Sequence, residues 1–343
     1  MTLPENHRAD APALSADTVP AWRQERYGEA DVVAPGAVEV RAPRRGEVLL
    51  RLRATGLNNG DVRVMRGEPL LVRTVFGLRR PKQPVRGMDA AATVVAVGDG
   101  VTGFGVGDEV VCELPGGGGL ATYVVAPAAR LVRRPAGLDP TLAASLPVAA
   151  GTAWQALDRV GVTAGHRVLV IGASGGVGTF AVQLAVHRGA EVWALCGERN
   201  RSLVEGIGAS RTFDYRSVQP GSEALGSGFD AVIDIAGTAP LRALQDLVRD
   251  GGAVALVSGE GGRVLGPIGR IFAASARSVR SKRPLRPVAA VAKTDVLSEL
   301  VALAASGALR PVIERTYPFA EAGAALARLA EGHVVGKLVV TAP

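Results

Sequence analysis

Over the first 146 residues, apolar and polar side chains alternate in short stretches. Residues 48–54 (VLLRLRA), 92–97 (ATVVAV) and 109–113 (EVVCE) carry the alternating, β-branched pattern of strands. Turn signals such as Asp99-Gly100 and Gly105-Val106-Gly107-Asp108 punctuate them. From Pro147 the period changes. Helical spacing over 150–160 precedes an apolar strand at 168–171, a helix at 179–188, a strand at 190–196 and a helix at 200–207. Strands near 211–214 and 230–235, a helix at 240–249 and a strand at 253–258 continue the alternation, which predicts a doubly wound parallel sheet. Past residue 306, a strand at 312–315, a helix at 319–331 and a last strand at 336–341 point to a return to the first domain. The expected division is a disordered tail over 1–20, a mainly β domain over 21–146 and 308–343, and an α/β domain over 147–307. No internal repeat is visible.

The densest signal is RVLVIGASGGVGTFAVQLA at 167–185. An apolar strand breaks into Gly172-Ala173-Ser174-Gly175-Gly176-Val177-Gly178 and resumes as Phe180, Val182, Leu184 and Ala185 at helical spacing. A tight strand-to-helix turn needs positive φ, and a pyrophosphate needs backbone N–H groups with no Cβ in the way. The last glycine lets helix and strand touch. The helix N-terminus then offers unpaired donors and partial positive charge to phosphates. Ser174, Gly175, Gly176, Val177 and Gly178 are therefore the expected dinucleotide cradle.

Composition narrows the class. The chain has 343 residues, 48% hydrophobic and 21% charged, enough for two domains with cores of their own. No run of eighteen apolar residues predicts a membrane span, and the opening MTLPENHRADAPALSADTVP lacks the apolar core of a secretory signal. Two cysteines, Cys112 and Cys196, exclude a disulfide framework and a four-cysteine zinc lobe, and point to the cytoplasm. The net charge of +7 invites a nucleic-acid reading, yet aromatic content is only 4%. Arginine far outnumbers lysine, as a GC-rich genome would write it. The basic clusters at 79–82 and 277–286 are accordingly read as solvated surface, with no nucleic-acid partner.

Several stretches carry a family likeness: RYGEADV, GLNNGDVRVMRG, GVGDEVV, AASLPVAAGTAWQAL, GASGGVGTFAVQLA, FDYRS and GALRPVIERTYPFAEAGAALARLAEGHVVGKLVV. Together they resemble the medium-chain dehydrogenase/reductase superfamily, in its zinc-free quinone oxidoreductase (zeta-crystallin-like) branch. The resemblance implies an α/β chain with a GroES-like β-domain and a Rossmann doubly wound parallel sheet, and an active site in the cleft between them. A homodimer is expected. Zinc-dependent relatives place a cysteine where this chain has Asn58-Asn59 and Gly-His-Glu where it has Gly87-Met88-Asp89. A catalytic zinc needs three protein ligands and an open position. His7, His166, His187 and His333 share no motif with a cysteine and are read as structural or surface residues. No metal site is expected.

The nicotinamide cofactor is read from the second strand of the α/β domain. NAD-specific domains end that strand in an acid, whereas here it ends in Cys196-Gly197, followed by Glu198-Arg199-Asn200-Arg201. Guanidinium forks suit a 2′-phosphate. By resemblance Arg201 stands at a basic phosphate-binding position and Tyr215 matches a phosphate-contacting tyrosine. Glu198 is the dissenting signal. NADP(H) is the expected cofactor, with Cys196, Arg199, Arg201 and Tyr215 in its site.

Without a Lewis acid to hold an alkoxide, hydride transfer to a conjugated acceptor is favoured, because the charge delocalises to a distant oxygen. The resemblance puts Asn58 beside the nicotinamide and acceptor oxygen, and Thr152 in the same pocket. It also brackets the nicotinamide with Ser258-Gly259 and Gly336-Lys337. Two departures matter. Asn59 replaces the usual proline, and Arg63 replaces a tyrosine proposed as proton donor in quinone reductases. Arg63 can stabilise an enolate but is a poor acid; Tyr123 is the nearby candidate acid, with water as the alternative. The segment 259–287 is rich in glycine and arginine. Its weak amphipathic stripe (Ile271, Phe272, Ser275, Val279) suits a cleft cap or a subunit contact better than stable membrane insertion. The resulting expectation is an NADPH-dependent, zinc-independent reductase of a quinone or enone. The alternatives are a zinc-free alcohol/ketone oxidoreductase and a non-catalytic NADPH-binding protein.

Overall fold

The alternation past Pro147 builds a six-stranded sheet in the computed structural model, which describes residues 17–257 and 264–343. In spatial order its strands are Arg211–Asp214, Glu191–Cys196, Arg167–Ile171, Phe229–Asp234, Val248–Leu256 and Leu285–Pro287, all parallel. A parallel sheet is covered on both faces, so its strands are apolar throughout. Arg167–Ile171 shows why. Val168 and Val170 pack on one face with Phe180, Ala181 and Leu184 of the helix Gly176–His187, while Leu169 and Ile171 enter a second core with Phe229, Leu244 and Leu247.

The N-terminal strands form a seven-stranded sheet. Its order is Ile313–Pro318, Lys337–Thr341, Glu47–Leu57, Asp89–Val97, Glu109–Glu113 and Val132–Arg133, with Tyr123–Pro127 also paired to Glu47–Leu57. Every pairing is antiparallel except that of the last two strands of the chain with each other. Strand alternation sends Val48, Leu50 and Leu52 into a core with Ala90, Ala92, Val94 and Cys112. The chain thus returns at its end to the sheet it began. The fold is mixed α/β, a GroES-like sheet beside a Rossmann-type parallel sheet, as expected.

Several boundaries differ from the reading of the sequence. A strand already starts at Asp17 and runs to Arg23, pairing with Ala34–Val40, so 17–20 are not tail; the rest of that tail lies outside the described residues. Val19 and Ala21 alternate inward there, and Pro20 is tolerated because the ribbon has only two strands. The helix Thr294–Ala305 was not anticipated, although its buried Val296, Leu297, Leu300 and Val301 have helical spacing. The helix Ile268–Ser278 carries the amphipathic stripe, but it leaves Phe272 72% exposed rather than laid over a cleft.

The turn after Arg167–Ile171 is built as its glycines demand. Gly172 has φ +86, and a Cβ on Gly178 would stand 2.2 Å from the Gly172 carbonyl oxygen. Gly178→Ala should therefore push the helix off the strand and cost about 1–3 kcal/mol, read as a lower urea midpoint at unchanged m-value. A midpoint equal to wild type would show that the turn yields freely.

Candidate functional site

A cavity of about 740 Å³ lies where loops of the two sheets meet, at the carboxyl ends of the parallel strands. Ser174, Gly175, Gly176 and Val177 form its floor. The first N–H groups of the helix Gly176–His187, capped by Gly175 in an extended conformation, have no intrahelical partner. Gly175 bridges in parallel to Gly336, and the Gly336 N–H donates to the Ser174 carbonyl at 2.8 Å. The two sheets are thus joined at the turn itself. A Cβ on Gly176 would press on the Gly336 carbonyl and the Lys337 side chain, both at 3.2 Å, so this cradle accepts backbone approach only. Gly178 is not on the wall; it serves the packing described above.

Beside this turn the sequence has buried an ion pair. Lys337, 2% exposed, donates from Nζ to the Leu57 carbonyl at 2.7 Å, to Asn58 Oδ1 at 2.5 Å and to Asp89 Oδ2 at 3.4 Å. Asn58 Nδ2 donates to the same Asp89 oxygen at 2.9 Å, and Asp89 Oδ1 accepts the Val148 N–H at 2.9 Å. Asn58 is therefore fixed from both ends of its amide. Burial raises the Asp89 carboxyl and lowers the Lys337 ammonium, each against the attraction of the other. Below them, Asp61 accepts the N–H groups of Asn58 at 2.9 Å and Gly87 at 2.7 Å, and burial pushes its carboxyl up to about 6. Asn59 is the first residue of the helix Asn59–Arg66, where proline and asparagine are both accommodated because that N–H has no helical partner.

Asn58, Arg63, Thr152, Cys196, Arg199, Tyr215 and Lys337 all line the cavity. Burial pushes the Cys196 thiol up to about 11, so it stands as a neutral group. Tyr123 does not reach the wall. It pairs with Arg51, six residues and roughly 20 Å along the strand from Leu57. Arg201 is also turned away. Its Nε donates to Thr212 Oγ1 at 2.9 Å and it pairs with Glu198 at 3.2 Å, which takes the dissenting acid with it. Ser258 and Gly259 lie outside the described residues.

Two residues were missed. Arg216, inside the FDYRS motif, lines the cavity beside Tyr215, its guanidinium 5.2 Å from the ring centre. His333, read as a surface residue, is exposed, but exposed on the cavity wall. Arg216 was legible as the motif's second phosphate-seeking side chain. Nothing local in the sequence marked His333. Among the described residues the wall carries no aspartate or glutamate; Arg63, Arg199, Arg216 and Lys337 stand on it, with His333.

The residues present do not fit a zinc ion. Asn58 and Met88 stand where the resemblance gives zinc-dependent relatives their ligands, and Asp89 is committed to an ammonium. Among the described residues no group of three or more His, Cys, Asp or Glu side chains could hold a metal. Nor is any described helix long and apolar enough to cross a membrane.

Replacing Lys337 by methionine would leave Asp89 buried without its cation. Such a loss costs about 3–5 kcal/mol. Lys337→Met should unfold at correspondingly lower denaturant, and adding Asp89→Asn should restore most of the loss; a double variant no better than the single one would refute the pairing.

Comparison with known proteins agrees with this architecture. Residues 44–136 match the alcohol dehydrogenase GroES-like domain family and 207–340 the zinc-binding dehydrogenase family. The chain is 36% identical over 315 residues to the chloroplast envelope quinone oxidoreductase homolog of Arabidopsis thaliana, covering 88% of this chain and 92% of that protein. It is 32% identical to the mitochondrial NAD(P)H oxidoreductase RTN4IP1 of Mus musculus, over 94% of this chain and 89% of that one. Among solved structures, the quinone oxidoreductase from Coxiella burnetii superposes with a TM-score of 0.84 at 26% identity, over 95% of this chain and 99% of that chain. With a GroES-like sheet, a glycine turn made for a nicotinamide dinucleotide and these relatives, the chain is an oxidoreductase of the medium-chain dehydrogenase/reductase superfamily and belongs to its zeta-crystallin-like quinone oxidoreductase branch.

Proposed function

We propose that this protein is an NADPH-dependent reductase that delivers hydride to a conjugated acceptor, a quinone or an α,β-unsaturated carbonyl compound, without a metal. The observation that carries the reading is the wall of the cavity, which is free of acids among the described residues and holds Arg199, Tyr215 and Arg216 together beyond the strand Glu191–Cys196. A ribose 2′-phosphate adds about two negative charges, and two guanidinium groups with no competing carboxylate favour it. The pairing of Glu198 with Arg201 supports the same preference, since it withdraws the acid that would bind a 2′-hydroxyl.

In this reading Ser174 to Val177 and the helix N-terminus hold the pyrophosphate, and Thr152, Asn58 and Lys337 border the nicotinamide end. The bound cofactor supplies the hydride. The chain's own task is then to orient the acceptor and to stabilise the negative charge that collects on its oxygen. Donors aimed at such an oxygen are worth on the order of 3 kcal/mol each. Arg63, on the wall, meets that charge electrostatically. Asn58, its amide held by Lys337, Asp89 and the Gly56 carbonyl, gives the nicotinamide end a fixed polar border. A conjugated acceptor needs no more than this, because its charge is spread over several atoms. A simple alkoxide would need the metal that Asn58 and Met88 do not provide.

The test is steady-state turnover with both cofactors and a panel of quinones, enones, ketones and alcohols. NADPH should exceed NADH in kcat/KM. Arg216→Ala should cost ten- to a hundredfold with NADPH, the worth of one charge-assisted contact, and little with NADH. Preference for NADH would overturn the cofactor assignment. Alcohol oxidation surviving a chelator would replace the acceptor class, and tight NADPH binding without turnover would favour a binding protein.

A further inference from the structure

Reduction of a conjugated acceptor consumes one hydride and one proton, and with Tyr123 off the cavity wall the proton has no side chain to come from among the expected residues. The described titratable residues on the cavity wall are Arg63, Cys196, Arg199, Tyr215, Arg216, His333 and Lys337. Arginine does not surrender a proton in a protein. Lys337 gives its three N–H bonds to Leu57, Asn58 and Asp89. Cys196 and Tyr215 are hydrogen-bonded neighbours, Tyr215 N–H to the Cys196 carbonyl at 3.1 Å, in the group with Arg199 and Arg216 assigned above to the cofactor phosphate. His333 remains. Histidine is also the side chain that gains and loses a proton nearest neutrality.

Its backbone is held in place. His333 has φ +54, one of only two non-glycine residues with positive φ among the described residues. That conformation costs free energy and persists where the surroundings fix it, often at functional sites. Three hydrogen bonds fix it here: Arg328 to the Gly332 carbonyl at 2.8 Å, Val335 N–H to Glu314 at 2.6 Å, and Gly336 N–H to Ser174 at 2.8 Å. Arg66 donates to the Ala330 carbonyl at 3.4 Å, which ties this loop to the helix Asn59–Arg66, the element that brings Asn59, Gly60 and Arg63 to the wall.

We propose that His333 is the general acid of the reaction, an assignment that rests on the reductase reading above. Hydride from the dihydronicotinamide adds to the β-carbon of an enone, and the C=C pair shifts onto the carbonyl oxygen as an enolate. The α-carbon then forms a C–H bond with the proton of the His333 imidazolium, the N–H pair stays on nitrogen, and solvent returns the proton. With a quinone the same proton goes to the second oxygen. The charged groups on the elements packed around His333 are Asp61, Arg63 and Arg66, Arg328 and Glu331, Glu314 and Arg315, and Lys337. Glu314 and Glu331 are paired with Arg328, at 2.8 Å and 3.7 Å, and Asp61 accepts the Asn58 and Gly87 N–H groups. Since the acid must carry its proton, kcat should fall as the medium turns alkaline.

His333→Asn tests this, because asparagine tolerates positive φ while removing the acid. With NADPH and an enone that the wild type reduces, kcat should drop about 10²–10⁴-fold, with NADPH affinity within twofold and the alkaline fall in kcat lost. His333→Gly, which tolerates the same backbone, should regain activity with added imidazole. A kcat within threefold of wild type and an unchanged pH profile in His333→Asn would assign the proton to water and overturn the proposal, with the reductase reading intact. An inert wild type that binds NADPH would overturn both.

Discussion

The buried pair of Lys337 and Asp89 is the contact on which the rest of the architecture turns. Two charges taken out of water are costly unless each is met by hydrogen bonds as well as by the other. Here the neighbours are supplied from four places in the chain: the end of Glu47–Leu57, the start of Asp89–Val97, the first turn of the helix Pro147–Val160 and the last strand. Because the pair tolerates no alternative partners, it fixes how these elements meet. It also decides the chemistry of the wall. A cation already occupies the neighbourhood of Asn58 and Asp89, so Asn58 stands with its amide orientation set rather than free to flip.

The glycine turn depends on the same strand. Gly336 precedes Lys337, and its N–H closes on Ser174 while Gly175 bridges back to it. One short segment thus anchors the catalytic sheet through its ammonium and the nucleotide-binding turn through its backbone. A side chain on Gly336 would meet the Val312 carbonyl at 2.2 Å, and one on Gly176 would meet Gly336 itself. The close approach of the two sheets therefore needs glycine at 176, while glycine at 336 is demanded by its φ of +67 and by Val312 on its own side of the seam.

How much of this was legible in the sequence follows from the range of each interaction. The strand, turn and helix around Gly172 were read correctly because local periodicity and local backbone demands agree there. The Rossmann alternation was legible for the same reason. Tyr123 and Arg201 were misplaced because sequence proximity does not say where along a strand, or toward which partner, a side chain goes: Tyr123 sits at the wrong end of its pairing, and Arg201 prefers Glu198 and Thr212. Lys337 was expected beside the cofactor and lines the cavity, but the three acceptors that hold its ammonium, Leu57, Asn58 and Asp89, come from far up the chain, and no local pattern announces them. His333 was passed over because its significance lies in the cavity it borders rather than in its neighbours.

The place of the last strand has a consequence for how the chain is made. Lys337 pairs with Asp89 across 248 positions, and Lys337–Thr341 lies beside the strand Glu47–Leu57. The N-terminal sheet therefore waits through synthesis of the whole α/β domain before its central ion pair can close. Contacts of such long range are slow to form and leave surface exposed meanwhile. The parallel sheet, whose strands all fall between residues 167 and 287, can assemble first and serve as the platform on which the other sheet is finished. Birth of the protein and assembly of its cavity are thus one late event.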